Sequence, residues 1–436
     1  MFSSAQRLLA ILPILLLALA GTLATADGAA AESPTTLPNI AFYYGKQPPL
    51  DELSAFDMVV VEPDNVSLAD LAASRPDVPS RGPGWLGQHT ELLAYVSVGE
   101  LHPTRAYFNQ LPATWRAGTN PAWNSVVIDQ SQPDWPAWFV EHAVAPLWQA
   151  GYRGFFLDTL DSFNLVAKTD AERARQAEGL ARTVRAIKAA FPEAKLVFNR
   201  GFEILPQVHE LAAAVAAESL FQGWNAEINN YQEVSDADRS WLLGQLNVIK
   251  DKYHLPVIAI DYVAPGKRDL ARDTARRIAA LGYVPWVTNP ALDMLGVGAI
   301  EVMPRKVLVL YDGQSSDVGV TYEPAHRFLA MPLNYLGYTV VYQEARKPLP
   351  THVLAGRYAG IVTLFAADTP SPGIAPFLKS AISQGLRIAS FGTLGVPRGE
   401  VLRDTLGLLA RDPERAPVRR TLNCNTVRLA TPPYGE

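Results

Sequence analysis

Cysteine is almost missing from this chain. Its 436 residues include one, Cys424, so no disulfide can close within the chain and no cysteine-based metal site is possible. Stability must come from a packed core. The seven histidines, His89, His102, His142, His209, His254, His326 and His352, show neither HxH nor HExxH spacing, and each reads as a surface or packing residue. No GxSxG elbow is present, which removes the usual esterase arrangement. Beyond Leu23 no apolar run is long enough to span a bilayer. Basic charge is not in excess either: the net charge is −5, which argues against nucleic acid as a partner.

What is present begins with a targeting pattern. Arg7 is the lone charge before the apolar run Leu8 to Leu23, and Ala24-Thr25-Ala26 and Ala29-Ala30-Ala31 are candidate cleavage sites. This predicts a secretory signal peptide over residues 1–31, with no lipoprotein anchor and no stable membrane insertion after cleavage. A periplasmic or secreted protein is expected, and the near-absence of cysteine fits a bacterial periplasm. The charge is unevenly spread. Glu32 to Ile300 carries 22 basic and 31 acidic side chains, a balance of −9; Glu301 to Glu436 carries 15 and 11, a balance of +4. An acidic first domain favours a neutral or cationic ligand, although solubility alone would also account for it.

The chain is too long for one ordinary core, and two domains are expected. Eight apolar runs alternate with amphipathic stretches: Ile40 to Tyr44, Met58 to Val61, Leu92 to Val98, Phe155 to Leu157, Lys195 to Phe198, Ala213 to Ala217, Val257 to Ile260 and Tyr283 to Val287. The helical patterns are clearest at Trp135–Gln149, Ala171–Ala190, Asp236–Lys250 and Asp269–Leu281. Such alternation predicts an α/β fold whose first domain, residues 32–303, is a (β/α)8 TIM barrel. A second run of strands and helices, from Val307 to Gly392, predicts a smaller open α/β, flavodoxin-like domain over residues 304–400. Its first loop, Asp312-Gly313-Gln314-Ser315-Ser316-Asp317, holds one glycine and so no phosphate cradle, which points to an accessory role. Residues 401–436 are Arg-rich and complete no evident domain, the pattern of a piece of a longer chain.

A barrel carries its chemistry at the C-terminal ends of its strands. The residues there are acids, amides and aromatics at nearly every strand. A lone acid after a strand reads as a helix cap; the repetition speaks for a site. Asp158 and Glu218 end the fourth and sixth runs, two strands apart, which brackets the carboxylate separations of both classes of glycoside hydrolysis. Glu218 follows Ala213-Ala214-Val215-Ala216-Ala217, an apolar setting that suits a general acid, and Asp158 sits beside Thr159 and Asp161, which suits an ionised carboxylate. A divalent metal on Asp158, Asp161 and Glu100 fits less well without histidine partners, so no metal and no cofactor is expected. Candidate substrate contacts are Tyr43, Tyr44, Glu62, Glu100, Asp161, Asn199, Arg200, Trp224, Asp261 and Tyr262, since aromatic rings give sugars a stacking platform and polar groups give them hydrogen bonds.

Phe42-Tyr43-Tyr44-Gly45, Tyr95-Val96-Ser97-Val98-Gly99-Glu100, Gly154-Phe155-Phe156-Leu157-Asp158-Thr159-Leu160-Asp161, Asn199-Arg200-Gly201, the Glu218 strand end and Asp261-Tyr262, taken in order, resemble the TIM-barrel hydrolases grouped around the endo-α-1,4-polygalactosaminidases. The resemblance covers about Pro38 to Met303 and runs on into the following domain. It implies a periplasmic, endo-acting glycoside hydrolase, with Asp158 as nucleophile-type carboxylate and Glu218 as general acid/base. Its implied substrates are α-1,4-linked N-acetylgalactosamine and galactosamine polymers of the exopolysaccharide matrix, which are cationic where partly deacetylated; exopolysaccharide export proteins are a further partner expectation. Relatives in exopolysaccharide systems add a metal-dependent deacetylase domain. No such Asp and His pattern follows Gly392, so deacetylation is not implied. The rival expectations are a non-catalytic polysaccharide-binding protein and an export scaffold. The resemblance and the fourth-strand place of Asp158 favour a retaining mechanism, which needs the two carboxyl groups about 5–5.5 Å apart rather than the 6.5–9.5 Å of inverting enzymes.

Overall fold

A computed structural model of the chain describes residues 38–66, 85–87, 89–313, 319–365 and 373–396. The expected signal peptide and the segment 401–436 lie outside the described residues. No described helix is long and apolar enough to cross a membrane.

The eight apolar runs are eight strands: β1 (Ile40–Tyr43), β2 (Met58–Val61), β3 (Thr90–Ser97), β4 (Gly154–Asp158), β5 (Lys195–Asn199), β6 (Ala214–Glu218), β7 (Val257–Tyr262) and β8 (Val284–Thr288). Each is paired in parallel with the next, in chain order. Just past β1, the Tyr44 N–H donates to Leu292 O, just past β8, at 2.7 Å, so the two edges of the sheet meet. The sheet is a (β/α)8 TIM barrel. Its strands are apolar on both faces because side chains fill the inside and helices cover the outside. Helix α1 (Asp170–Ala190) opens on a capping box of Thr169 and Glu172, and α2 (Asp236–Tyr253) on a Ser235 cap, so both start where their first free N–H groups are met. Helix α3 (Arg268–Ala280) packs its apolar side against β8.

The crossovers are less regular than the alternation suggests. Only one turn of helix, Leu50–Leu53, follows β1, and only Leu205–Val208 with a 3₁₀ turn follows β5. After β3 the chain makes a three-stranded antiparallel sheet from Glu100–Leu101, Arg116–Asn120 and Ser125–Ile128. After β6 it inserts a hairpin, Gln222–Asn225 with Asn230–Glu233. Both insertions leave strand ends at the mouth of the barrel.

Register decides which residues look inward. Ser97 lies beside Asp158, Phe156 beside Tyr95, Asn199 beside Ala216, and Ile260 beside Glu218. In parallel strands, partners and residues two apart share a face. Tyr95, Asp158, Asn199, Glu218 and Tyr262 therefore all face the interior. Phe42, Phe156, Tyr95 and Tyr44 form a ladder of rings, with centroids 5.1 Å apart for Phe42–Phe156 and 5.2 Å for Tyr44–Tyr95, that fills the barrel up to its mouth.

A second sheet follows: β9 (Lys306–Tyr311), β10 (Thr339–Glu344), β11 (Tyr358–Phe365) and β12 (Arg387–Gly392), parallel throughout in the order β10-β9-β11-β12. This is the doubly wound order. Helix α4 (Pro324–Tyr335) buries Ala325 and Leu329 on one face, and α5 (Ile374–Ser383) buries Ile374 and Leu378 on the other. Met294, from the loop after β8, is part of the core under α5, and the Arg357 guanidinium donates to Tyr43 Oη at 3.1 Å and to Gln47 O.

Candidate active site

Three neighbouring strands end in the same way. Asp158, Asn199 and Glu218 close β4, β5 and β6, and the residue after each, Thr159, Arg200 and Ser219, has a left-handed backbone with φ of 62°, 56° and 64°. Residues with a Cβ adopt this conformation only at a cost, of order 1–3 kcal/mol each. Local bonds hold it. The Thr159 hydroxyl donates to Asp158 O at 2.6 Å and accepts from the Gly99 N–H at 2.8 Å. Arg200 N–H donates to Ala216 O, and Ser219 N–H to Ile260 O. Gly99 is forced, because a Cβ there would lie 2.0 Å from Thr159 O. The kinks turn the chain away from the strand direction and leave the three preceding side chains over the mouth.

Those side chains meet. Asn199 Nδ2 donates to Asp158 Oδ1 at 2.7 Å and to Glu218 Oε1 at 2.8 Å. The two carboxylate oxygens are therefore no more than 5.5 Å apart, the sum of those lengths. The remaining oxygens are met by phenols: Tyr95 Oη donates to Asp158 Oδ2 at 2.8 Å, and Tyr262 Oη to Glu218 Oε2. Burial raises the Glu218 carboxyl above its ordinary range, and the negative charge of Asp158 adds to this; Tyr262, Asn199 and Arg200 pull the other way. Burial, reinforced by the carboxylates, holds Tyr44, Tyr95 and Tyr262 well above the ordinary phenol range, so all three remain neutral. The site thus pairs a carboxyl group whose burial favours its protonated form with a second carboxyl group held by two donors.

The rim is charged. Asp161 lies 3.8 Å from Arg200, and its carboxyl is raised by burial against the pull of that guanidinium. Glu62 accepts from Arg105 through both oxygens, at 2.7 and 2.8 Å, and Arg105 lies over the Tyr95 ring. Half-buried Trp224 stands on the hairpin after β6, edge-on to Tyr231 at 4.8 Å. Among the described residues no group of three or more His, Cys, Asp or Glu side chains could hold a metal ion.

Three sequence candidates do not reach the cleft. Tyr43 alternates with Tyr44, so it faces outward, is wholly buried, and accepts from the Arg357 guanidinium at its hydroxyl oxygen. Asp261 alternates with Tyr262 in the same way. It is wholly buried, and accepts from the backbone N–H groups of Leu220, Phe221 and Gln222 at 2.7–2.8 Å. Burial pushes its carboxyl up to about 6 against the pull of those donors. Glu100 belongs to the inserted sheet; it is 4% exposed and accepts from Asn120, Ser125 and Ser162. Each is structural. Asp261→Ala should leave three buried N–H groups without a partner and lower stability by about 3 kcal/mol or more, read by thermal melting. An unchanged melting temperature would contradict the role. Two residues the sequence reading missed are Tyr95 and Arg105. Tyr95 has a faint signal, since Tyr95 and Ser97 put polar atoms on one face of an otherwise apolar strand.

The model of glycoside-hydrolase family GH114 matches residues 23–308. The solved glycoside hydrolase domain of PelA from Pseudomonas aeruginosa is 41% identical, with a TM-score of 0.53 over 60% of this chain and 98% of that one. A variant of the same domain matches at 41% identity and a TM-score of 0.52, with the same coverage. Ega3 of Aspergillus fumigatus, solved in complex with galactosamine, is 12% identical with a TM-score of 0.40, over 58% of this chain and 91% of that one. A comparison with curated proteins gives no match.

Proposed function

The chain belongs to glycoside-hydrolase family GH114, and from that premise we propose that it cleaves α-1,4-linked galactosamine and N-acetylgalactosamine polymers within the chain, with retention, using Asp158 and Glu218. The observation that supports this mechanism is the shared Asn199 amide, which keeps one oxygen of each carboxyl group within 5.5 Å of the other and so favours the close spacing of retaining enzymes over the wider one of inverting enzymes. In the first step Glu218 gives its proton to the glycosidic oxygen as the bond from that oxygen to the anomeric carbon breaks. Asp158 attacks that carbon from the other side and forms a glycosyl ester. In the second step the Glu218 carboxylate takes a proton from water, whose oxygen attacks the same carbon and releases Asp158. The raised Glu218 carboxyl suits the first step.

The substrate class draws on the motif resemblance and on charge. Residues 32–300 carry a balance of −9, and Asp161 stands near both Asp158 and Glu203 at the mouth. A deacetylated, cationic polymer suits such a cleft. The N-terminal apolar run suits action outside the cytoplasm, in the periplasm or beyond, on exopolysaccharide.

The test is product release by the purified protein from galactosaminoglycan oligomers of defined acetylation, with affinity followed against salt. Deacetylated oligomers should bind less tightly as salt rises, because exposed charges are screened over about 8–10 Å at physiological ionic strength; acetylated ones should respond little. Equal, flat responses would remove the electrostatic part of the reading, and no product from either polymer would remove the substrate class.

A further inference from the structure

Asn199 is placed unlike the other donors of the site. Tyr95 serves only Asp158 and Tyr262 serves only Glu218, while the single Asn199 nitrogen gives one hydrogen to each carboxylate. It is oriented with both hydrogens toward carboxyl oxygens, which accept them. The amide oxygen is buried and has no hydrogen-bond partner among the described residues. A side chain that leaves its acceptor unmet to direct both hydrogens at two acids is held for those hydrogens.

We infer that Asn199 is a positioning residue that sets the proton affinities of both carboxylates together, so that the working pH range of the enzyme moves as one when it is changed. The inference rests on Asp158 and Glu218 being the reacting pair. A hydrogen bond to a carboxylate favours its ionised form. Asn199 is among the groups that pull the Glu218 carboxyl down, and removing its two hydrogen bonds takes a donor from the nucleophile and from the acid at once. The other charged or titratable groups around the pair are Tyr44 from β1, Tyr95 from β3 with Arg105 behind it, Asp161 after β4, Arg200 after β5 and Tyr262 from β7. Of these, none hydrogen-bonds to both acids. The two titrations are coupled, so the apparent limits belong to the pair.

The experiment is the pH dependence of kcat/KM for the full chain and for Tyr95→Phe, Tyr262→Phe, Asn199→Leu and Asn199→Ser, each checked by melting. Losing one donor should raise the limb it serves by about one unit. Because the two groups titrate as a pair, Tyr95→Phe should move the acidic limb more than the alkaline one, and Tyr262→Phe the reverse. Both Asn199 variants should move the two limbs upward together, with the width of the bell preserved. If the tyrosine variants each move their own limb while both Asn199 variants lose rate with the bell in place, the inference is overturned and the catalytic pair stands. If neither tyrosine variant moves a limb, Asp158 and Glu218 are not the titrating pair, and the inference falls with that assignment.

Discussion

Glu218→Gln should leave a folded barrel and remove nearly all hydrolysis of the polymer, on the order of 10²–10⁴-fold or more. The amide has the shape of the acid but no proton to give to the leaving oxygen. The fold has little reason to change, because Glu218 sits at the mouth of the barrel, past the fully buried part of β6. The Gln oxygen can still accept from Tyr262; its new N–H₂ would face the Asn199 amide, a local conflict rather than a loss of core. The choice of substrate sharpens the test. A galactosaminide with a good aryl leaving group needs little help from an acid in the first step, so its kcat/KM, which reports that step, should suffer much less than that of the polymer even though the second step loses its base. An equal loss on both substrates would point to a binding or structural role, and unchanged turnover with unchanged melting would take Glu218 out of the site.

Why Glu218 and Asp158 could be found from sequence, and their companions only in part, follows from the geometry of a barrel strand. Both acids interrupt apolar runs, and a buried parallel strand has no other use for a charge, so their position at a strand end is legible. The eight strands were legible for the same reason. The inserted sheet was not: Arg116–Asn120 is exposed and polar, with neither strand alternation nor a helical stripe. The face on which a strand-end residue lies was also hidden. In β1 and β7 both faces are buried, one by the barrel interior and one by outer elements. Tyr43 and Tyr44, or Asp261 and Tyr262, are then equally good candidates until register assigns one of each pair to the mouth. Glu100 was misplaced by another cause: the chain leaves β3 through the tight passage at Gly99, so Glu100 begins a new strand instead of ending the old one. The role of Asn199 was out of reach altogether. Its contact with both acids depends on Asn199 standing beside Ala216, which puts Glu218 two residues further along the neighbouring strand.

The second large effect belongs to Asp158. Asp158→Ala should lose activity at least as completely as Glu218→Gln, on the order of 10⁴-fold, because no covalent intermediate can form. It differs in how it can be rescued. The alanine leaves space on the side of the sugar opposite Glu218, and the Glu218 carboxyl, still buried, remains in place as the acid. A small anion such as azide can enter that space, attack the anomeric carbon, and release the leaving group with the Glu218 proton; the product is a glycosyl azide of inverted configuration. The unsubstituted enzyme inverts twice and should give a first-formed hydrolysis product of retained configuration, which NMR reads before mutarotation. These two outcomes together identify Asp158 as the nucleophile. An inverted first product from the unsubstituted enzyme would make Asp158 a general base acting through water, and would require the carboxyl groups to stand beyond about 6.5 Å. The shared Asn199 amide holds their facing oxygens within 5.5 Å, so such a result would also mean that this bridge opens before the substrate reacts.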